Sequence, residues 1–418
     1  MKIDLPFGLK SESSHHRLLS WPSSDHTLIP CEVYLDRQIF EQEQEVIFKG
    51  PAWHLSGLLA DVPKRGDFIS TYIGTTPVVL HRAHDNSINA YVNRCAHRGA
   101  RVIRELRGNN KFPICPYHNW RYDGTGKLLG VSLEQGMQNK GGYPDNFSKD
   151  CHGLQTLRVE TIEDVIFATF DKHTPPLREY LGKAIVQRIE EICHRPLCII
   201  GYQRQTVHCN WKLFVENNRD TYHGPQLHSF VGQFGIALPV DRVSVDIHNA
   251  HALLSSWLPP GDTDHKDKFP AQKGKYELVD PSIAEGFKAL GDLQLSVISI
   301  YPTSLFTCVR NSWSCRRIIP TSPGTTDIEY TWFGYENESE FELECRKKQS
   351  NLLGPAGYIA LEDAEVLTMT QNAISRGDTS YIEFGGADIE TTSDHFNSEA
   401  TVRAFWKGYC ETMQIPTS

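Results

Sequence analysis

The spacing of apolar and polar residues predicts short paired strands in the first part of the chain. Residues 78–81 and 88–92 are rich in β-branched and other apolar side chains, which favour strands. Asp123-Gly124 is a typical hairpin turn sequence. We therefore expect a β-rich unit here, with loops at the ends of its hairpins.

The second half of the chain predicts longer elements. Residues 211–222 and 358–371 have the pattern of helices. Gly224-Pro225 is expected to end the first helix just after His223, because proline cannot continue a helix.

The length and composition are those of a two-domain globular protein. A chain of 418 residues exceeds the size at which a single core stops growing. Its hydrophobic fraction of 39% and charged fraction of 22% are ordinary. The net charge of −9, without a run of lysine and arginine, argues against nucleic acid or an anionic membrane as a partner. No apolar run approaches the roughly 18 to 20 residues of a membrane span, and the start lacks a signal peptide, so we expect a cytoplasmic protein.

Two of the eleven cysteines stand beside histidines. Cys95-Ala96-His97 and Cys115-Pro116-Tyr117-His118 form C-x-H and C-x-x-H with 17 residues between them. A Rieske [2Fe-2S] cluster has two cysteines on one iron and two histidines on the other, and this interleaved set matches it. A structural zinc site is the alternative, although zinc sites more often pair C-x-x-C with H-x-x-x-H. The remaining cysteines are expected to be small buried apolar residues.

A second group of candidate metal ligands has the pattern D-x-x-H-x-x-x-x-H, formed by Asp220, His223 and His228. With a helix ending at His223, both imidazoles would converge on one point. Non-haem Fe(II) oxygenases bind iron with two histidines and one carboxylate. The candidate carboxylates in the second predicted helix are Glu362, Asp363 and Glu365.

Two other classes of protein would explain part of this pattern. A Rieske electron-transfer protein without oxygenase activity would account for the cluster motif but would leave the C-terminal half without a purpose. A zinc-stabilised binding protein would use the cysteines and histidines as scaffold. An iron count together with a visible spectrum separates both from an oxygenase.

Together these motifs resemble those of the large subunits of Rieske non-haem iron ring-hydroxylating oxygenases along nearly the whole chain. The resemblance is closest to the branch that acts on aromatic acids, which includes terephthalate dioxygenase, salicylate 5-hydroxylase and anthranilate dioxygenase. The segments that carry it are NRCAHRGA (93–100), CPYH (115–118), NWKL (210–213), DTYH (220–223), GPAG (354–357) and ED (362–363).

The resemblance implies a role for each candidate ligand. The implied cluster ligands are Cys95, His97, Cys115 and His118, and the implied mononuclear iron ligands are His223, His228 and Asp363. Asp220 is implied to link His223 to the cluster ligand His118 of a neighbouring subunit. The resemblance also implies that the two metals of one chain lie too far apart for efficient electron transfer, so we expect a head-to-tail trimer, a closed ring that satisfies every interface.

The fold implied by the resemblance is α+β. Residues 1–44 are expected to pack on the catalytic domain, 45–165 to form a β-rich Rieske domain, and 166–418 to form a catalytic domain in which an antiparallel sheet is backed by helices in a helix-grip arrangement.

The partners follow from what the chain lacks and from the resemblance. No strand-loop-helix G-x-G-x-x-G fingerprint for NADH or NADPH is present, so a separate reductase is expected to supply electrons, with or without a ferredoxin. The branch that the chain resembles also implies a small β subunit in an α₃β₃ assembly.

The evidence on substrate comes from two arginines. Residues 304–319 predict a single strand, on which Arg310 and Arg316 would share a face and Arg317 would face away. Resemblance to the aromatic-acid branch favours Arg316 as the residue that binds a carboxylate, because a guanidinium forms paired hydrogen bonds with one. A solvated strand face or a structural ion pair explains either arginine equally well.

The expected reaction is O₂-dependent hydroxylation of an aromatic acid, with mono- and dihydroxylation both open. Terephthalate would need a second cationic contact, and residues 377–401, where we would seek one, contain no lysine or arginine. A monocarboxylate such as a salicylate, anthranilate or benzoate is therefore the expected substrate. Terephthalate or an uncharged arene is the alternative.

Overall fold

Two antiparallel sheets form the framework of the protein, one of seven strands and one of eight. The computed structural model describes residues 21–220, 222–234, 242–258, 276–376, 381–385, 392–393 and 399–417. Within these ranges no helix is long and apolar enough to cross a membrane.

The first described elements contact the second half of the chain. They are strand β1 (Leu28–Pro30), a 3₁₀ helix (Cys31–Tyr34) and helix α1 (Arg37–Val46). The hydroxyl of Tyr34 donates to the carboxylate of Glu216 at 2.6 Å, and the ammonium of Lys212 forms a fully buried ion pair with Glu43 at 2.5 Å. These buried polar contacts tie the N-terminal segment to the part of the chain that carries the second histidine motif.

The smaller sheet follows, and both C-x-H-type motifs lie in loops of this region. Its region contains β2 (His54–Leu58), β3 (Asp67–Ile73), β4 (Thr76–Arg82), β5 (Ile88–Val92), β6 (Arg107–Asn109), β7 (Arg121–Tyr122), β8 (Leu128–Gly130), β9 (Gly136–Met137), β10 (Lys140–Gly141), β11 (Thr156–Ile162) and β12 (Val165–Thr169). The sheet order is β2-β12-β11-β5-β4-β3-β6, while β7 pairs with β8 and β9 with β10. The two strands predicted at 78–81 and 88–92 and the hairpin turn at Asp123-Gly124 are confirmed.

The larger sheet lies in the second half of the chain. Its region contains β13 (Leu197–Val207), β14 (Arg242–His248), β15 (His251–Trp257), β16 (Leu293–Ile300), β17 (Ser304–Val309), β18 (Ser312–Ser322), β19 (Thr325–Tyr335), β20 (Tyr381–Glu383) and β21 (Thr392–Ser393). The sheet order is β13-β19-β18-β17-β16-β15-β14-β21, and β20 pairs separately with β1.

Helices lie against this sheet. They are α2 (Leu177–Leu181), α3 (Lys183–Ile192), α4 (Trp211–Asn217), α5 (Gly224–Leu227), α6 (Ser229–Gly232), α7 (Glu340–Leu353), α8 (Tyr358–Ile374) and α9 (Ala400–Met413). Short 3₁₀ helices span Leu59–Asp61, Lys149–Cys151 and Pro281–Ala284. An antiparallel sheet packed against helices confirms the predicted α+β class, and the helix predicted at 358–371 is confirmed as α8.

The hydrophobic core joins the two sheets. One apolar cluster contains Val78 and Leu305, and another contains Leu55 and Phe306, so each draws side chains from both sheets. A third cluster, with Val79, lies under the loops of the smaller sheet. The proposed division at residues 45 and 166 stays a prediction, and residues 1–20 lie outside the described part of the chain.

The helix predicted at 211–222 is shorter than expected. Helix α4 starts after Asn210, whose side chain accepts a hydrogen bond from the N–H of Lys212, and it ends at Asn217. Gly224-Pro225 was expected to end a helix but instead begins α5. Proline is tolerated at this position because the N–H groups of the first helical turn have no partner within the helix, so the missing N–H costs nothing.

The single strand predicted at 304–319 is wrong, because the segment folds into the hairpin of β17 and β18. Val309 pairs with Ser312, and Arg310-Asn311 form the turn between them. Arg310 adopts a φ of 51°, which is unfavourable for a residue with a side chain. The side chain of Asn311 holds the turn by accepting from the N–H of Phe287 and donating to its carbonyl. The prediction that Arg310 and Arg316 share a face through strand alternation therefore fails, because Arg310 lies in no strand.

Candidate active site

Two histidines and one aspartate from distant parts of the chain converge on one point. The Nε2 atom of His223 lies 3.4 Å from Oδ1 of Asp363, and Nε2 of His228 lies 3.8 Å from the same oxygen. Each of the three residues has a ligand atom within 4.8 Å of the others. In the described part of the chain, they are the one group of three or more histidine, cysteine, aspartate or glutamate residues placed closely enough to hold a metal ion. Two imidazole nitrogens and a carboxylate oxygen form the donor set of a non-haem iron site.

Short helices and their ends place these side chains. His223 directly precedes α5, and His228 lies between α5 and α6. Asp363 is in the second turn of α8. Of the three candidate carboxylates on α8, Asp363 alone joins the group, because Glu365 is exposed to solvent and Glu362 contacts the other side of His228.

Each imidazole has a carboxylate on its second nitrogen. The Nδ1 atom of His223 lies 3.1 Å from Oδ2 of Asp220, and Nδ1 of His228 lies 3.1 Å from Oε2 of Glu362. Glu362 also accepts from the N–H of Ser229 at 3.0 Å. A carboxylate on Nδ1 fixes the tautomer and leaves Nε2 as the electron-pair donor, as in metal-ligating histidines.

The electrostatics of the group favour a positive charge at its centre. Burial lowers the pKa of His223, but hydrogen bonds with Asp220 and Asp363 outweigh burial and raise this pKa to about 9. In the chain without metal, a proton would satisfy this excess of negative charge. A divalent cation fits the same position.

Asn217, the last residue of α4, lies between two members of the group. Its Nδ2 donates to Oδ1 of Asp363 at 3.1 Å and lies 3.3 Å from Nε2 of His223. The contact orients the carboxylate of Asp363. Asn217 precedes Asp220 by three residues, so the same helix end supports both sides of His223.

A cavity of about 440 Å³ opens beside the three residues, which also line it. Its walls are largely apolar, with Phe230, Leu254, Leu295, Val297, Val309 and Leu353 among them. Leu254, Val297 and Thr307 lie opposite one another on β15, β16 and β17, so they share one face of the sheet. An apolar cavity of this volume accommodates an aromatic ring.

Both predicted substrate arginines line this cavity. The Nε atom of Arg316 donates to Oγ of Ser314 at 3.1 Å, and Nη1 donates to Oδ1 of Asn218 at 3.3 Å. Arg316 forms no ion pair with the acidic side chains that the structure describes. Arg310 donates to the carbonyl of Ala284 at 2.8 Å, and burial lowers its pKa to about 10.

Arg317 faces the other way, as expected from strand alternation. Its Nε donates to Glu329 at 3.2 Å, and Nη1 donates to the carbonyl of Ser56 on β2. Arg317 therefore connects the two sheets rather than lining the cavity.

The two motifs of the smaller sheet bring two thiols and two imidazoles together. The side chains of Cys95 and Cys115 are in contact, and the rings of His97 and His118 lie 4.5 Å apart. Neither cysteine is in a disulfide. The Nδ1 atoms of both histidines are buried and have no hydrogen-bond partner in the described chain. Two orphaned imidazole nitrogens beside two thiols fit a [2Fe-2S] cluster of the Rieske type.

Aromatic side chains surround this second donor set. Trp120 stacks on His97 at 4.9 Å, so it covers one ring of the pair. The hydroxyl of Tyr122 lies 3.2 Å from Sγ of Cys95 and also accepts from the N–H of Ala96. A hydroxyl beside a thiolate donates a hydrogen bond to it, and such bonds set the potential of iron–sulfur clusters.

Sequence reasoning missed the residues that support the donors. Asn217 and Asn218 lie just before the histidine motif that begins at Asp220, but nothing in their type or spacing identifies contacts with Asp363 and Arg316. Glu362 was considered only as a metal ligand, and its contact with His228 depends on how α6 packs against α8. Tyr122 follows Cys115 by seven residues, and this spacing alone does not indicate a contact with the thiol of Cys95.

Comparison with known proteins gives the same picture over nearly the whole chain. Residues 188–414 match the family of the ring hydroxylating alpha subunit (catalytic domain), and residues 52–139 match the Rieske [2Fe-2S] domain. The chain is 36% identical over 404 residues to the terephthalate 1,2-dioxygenase terminal oxygenase component subunit alpha 2 of Comamonas sp. This match covers 95% of this chain and 98% of that protein.

Two further relatives have similar coverage. The anthranilate 1,2-dioxygenase large subunit of Burkholderia cepacia is 35% identical over 402 residues, or 94% of this chain and 95% of that protein. The salicylate 5-hydroxylase large oxygenase component of Ralstonia sp is 33% identical over 409 residues, or 94% and 96%.

The fold is also that of a solved oxygenase. Naphthalene 1,2-dioxygenase from Rhodococcus sp. superimposes with a TM-score of 0.77 at 20% identity, over 94% of this chain and 95% of that chain. The predicted family, enzyme class and cofactors are thus confirmed. The chain belongs to the alpha subunits of the aromatic ring-hydroxylating oxygenases, which carry a Rieske [2Fe-2S] cluster and a mononuclear iron.

Proposed function

We propose that this oxygenase hydroxylates an aromatic monocarboxylate whose carboxylate binds Arg316. The observation that carries the proposal is the position of Arg316. Its guanidinium lies in the wall of a largely apolar cavity that also contains His223, His228 and Asp363, and it has no carboxylate partner in the described chain. A partly buried cation without an internal counter-ion favours an anionic ligand.

The cavity places the rest of such a substrate. With the carboxylate on Arg316, the ring would lie against the apolar row of Leu254, Val297 and Thr307 and beside the three converging side chains. Apolar contact with this wall stabilises the ring by the hydrophobic effect and excludes water. Relatives that are 33–36% identical are named for terephthalate, anthranilate and salicylate, and all three of these are aromatic acids.

Terephthalate is a second candidate, favoured by the presence of Arg310 in the same cavity wall. Arg310 lies in the turn before β18, whereas Arg316 lies on the strand itself. Arg316 is four residues from the first residue of β18, Ser312, which separates the backbones of Ser312 and Arg316 by roughly 13 Å. Arg310 already donates to the carbonyl of Ala284, which makes it the weaker candidate for a second carboxylate. Residues 377–401, where we would seek a second cationic contact, contain no lysine or arginine, and most of them lie outside the described part of the chain.

The residues that hold the metals are part of the proposal. The proposed cluster ligands are Cys95, His97, Cys115 and His118, and the proposed mononuclear iron ligands are His223, His228 and Asp363. When bound, these groups supply one-electron transfer and O₂ chemistry. The protein supplies orientation: Glu362 and Asp220 direct the two imidazoles, and Asn217 directs the carboxylate.

Electron delivery between subunits is proposed to run through Asp220. Its carboxylate contacts Nδ1 of His223 inside the chain, and its side chain is 20% exposed. A head-to-tail trimer would bring His118 of a neighbouring subunit to this position, and Asp220 would then hydrogen-bond an imidazole on each side. A small β subunit and a reductase, with or without a ferredoxin, complete the proposed system.

Replacing Arg316 by glutamine should weaken the apparent affinity for aromatic monocarboxylates by roughly tens of fold or more. The loss of one partner from a buried charge-assisted pair costs on the order of 2 to 5 kcal/mol. Arg317→Gln is the matched control, since its side chain points to the opposite face and contacts Glu329. Steady-state KM for benzoate, salicylate and anthranilate is the measurement. An unchanged KM in Arg316→Gln, or a wild-type preference for uncharged arenes, would contradict the proposal.

Replacing Tyr122 by phenylalanine should lower the reduction potential of the cluster by roughly 20 to 60 mV. The hydroxyl stabilises negative charge on the sulfur of Cys95, and one hydrogen bond is worth about 0.5 to 1.5 kcal/mol. Tyr91→Phe is the control, because Tyr91 is also buried under the cluster loops but its hydroxyl contacts His81. Potentiometric titration followed by visible spectroscopy gives the value, and equal potentials in both variants would rule out this role for Tyr122.

A further inference from the structure

Asn218 lies beside the guanidinium of Arg316 at the end of helix α4, and it also lines the cavity. Its Oδ1 accepts from Nη1 of Arg316 at 3.3 Å, and its Nδ2 donates to the carbonyl of Phe214 at 2.8 Å. Arginine can only donate and a carbonyl can only accept, so these two contacts fix the orientation of the amide. The amide therefore presents an oxygen, not an N–H group, next to the carboxylate-binding position.

The guanidinium of Arg316, which lines the cavity, has donors that no residue in the described part of the chain uses. Of the five N–H groups of Arg316, one on Nε is directed to Ser314 and one on Nη1 to Asn218. No described residue accepts from the second hydrogen on Nη1 or from either hydrogen on Nη2, so these three remain for a ligand. A carboxylate that binds end-on to Nη1 and Nη2 would have one oxygen next to Oδ1 of Asn218. A substituent at the ortho position of the ring would then be adjacent to that amide oxygen.

We propose that Asn218 selects aromatic acids that carry an amino group ortho to the carboxylate. This proposal rests on the proposed role of Arg316 in binding the carboxylate. The amide oxygen has a second lone pair, which needs a hydrogen-bond donor from the ligand. An ortho-amino group has two N–H bonds: one is satisfied by its own carboxylate, and the other points outward to Oδ1.

Other ortho substituents satisfy this oxygen less well. An ortho-hydroxyl has a single O–H, and the neighbouring carboxylate of the same molecule accepts it, so an oxygen faces the amide oxygen. An ortho-methyl group has the size of an amino group but no donor, and leaves the second lone pair of the amide oxygen without a partner. The structure therefore predicts the order of affinity 2-aminobenzoate, then benzoate, then 2-methylbenzoate and salicylate.

Equilibrium binding to the assembled, dithionite-reduced holoenzyme without O₂ tests this order, because no turnover occurs. Isothermal titration calorimetry with the four acids should give 2-aminobenzoate an affinity about 3- to 10-fold above that of 2-methylbenzoate, as expected for one hydrogen bond. In Asn218→Ala this ratio should fall to about one. Ser314→Ala is the matched control: it removes the other contact of Arg316, so it should weaken all acids together and keep the ratio.

The outcomes separate this inference from the proposed function. If wild type binds salicylate or 2-methylbenzoate as tightly as 2-aminobenzoate, the role of Asn218 is overturned without any variant. A ratio that survives in Asn218→Ala overturns it as well. If Arg316→Gln binds all four acids as wild type does, the proposed carboxylate site itself fails, whatever the ratio.

Discussion

Replacing Asp363 by alanine is expected to abolish oxygenation and remove the mononuclear iron while leaving the visible spectrum of the cluster unchanged. Asp363 supplies the single anionic donor of the group formed with His223 and His228. Two neutral imidazoles alone bind Fe(II) weakly, because the charge that balances the cation is lost. Iron analysis should fall from about three to about two irons per chain, since a Rieske cluster retains two.

Glu365→Ala is the matched control for this experiment. Glu365 lies on the same helix, two residues further on, but it is exposed and stays outside the group. Its replacement should leave iron content and turnover as in wild type. Full turnover by Asp363→Ala would show that another carboxylate holds the iron, and loss of the cluster spectrum would show that the variant is misfolded rather than selectively depleted.

The choice of Asp363 shows where pattern reasoning reaches its limit. Glu362, Asp363 and Glu365 all belong to one correctly predicted helix, yet neighbouring residues of a helix point about 100° apart. Which of them meets His223 depends on the rotation of α8 against α5 and α6, which is set by packing between distant segments. The resemblance to a family supplied that information, and periodicity alone left the choice open.

The cluster motif was predictable because its information is local. Two short loops each carry one thiol and one imidazole, so the chemistry follows from spacing whatever the rest of the fold does. The hairpin of β17 and β18 was not predictable in this way. Arg310-Asn311 is not a typical turn sequence, and the turn is stabilised by contacts of Asn311 with Phe287, a residue 24 positions away.

Both arginines line the cavity although the predicted strand was wrong, and they reach it by different routes. Arg316 lies on the cavity face of β18 through strand alternation, with Ser314 two residues before it on the same face. Arg310 reaches the cavity from the turn instead, by a route that alternation does not describe. Arg310 lies in the cavity wall together with Arg316, but this does not support the strand-alternation argument that placed them on one face.

Asp220 and Glu362 form a natural pair for testing electron transfer between subunits. Each carboxylate lies 3.1 Å from Nδ1 of one histidine in the group, so both orient an imidazole in the same way. They differ in position, because Asp220 precedes Tyr222, which is 56% exposed on the surface beside His223. In the proposed trimer a neighbouring subunit would meet this surface, whereas Glu362 also accepts from the N–H of Ser229 within the chain.

Asp220→Asn is expected to retain both metals and bind substrate, but to slow oxidation of the reduced cluster by about 10- to 100-fold or more. Oδ1 of Asp220 accepts from the N–H of Tyr222 at 2.6 Å while Oδ2 faces Nδ1 of His223. An asparagine has one oxygen for these two donors, so its NH₂ group must face one of them whichever way the amide turns. The negative charge that would join two imidazoles across the subunit interface is lost as well.

Stopped-flow absorbance measures this effect by mixing the reduced, substrate-bound holoenzyme with O₂ and following reoxidation of the cluster. Glu362→Gln makes the same chemical change on the other imidazole, so after loading with iron to the wild-type level it should reoxidise at close to the wild-type rate. A selective delay in Asp220→Asn would support transfer through Asp220, because mere loosening of a ligand would slow both variants. Rapid reoxidation in an iron-loaded Asp220→Asn enzyme would show that electrons reach the iron by a route that does not need this carboxylate.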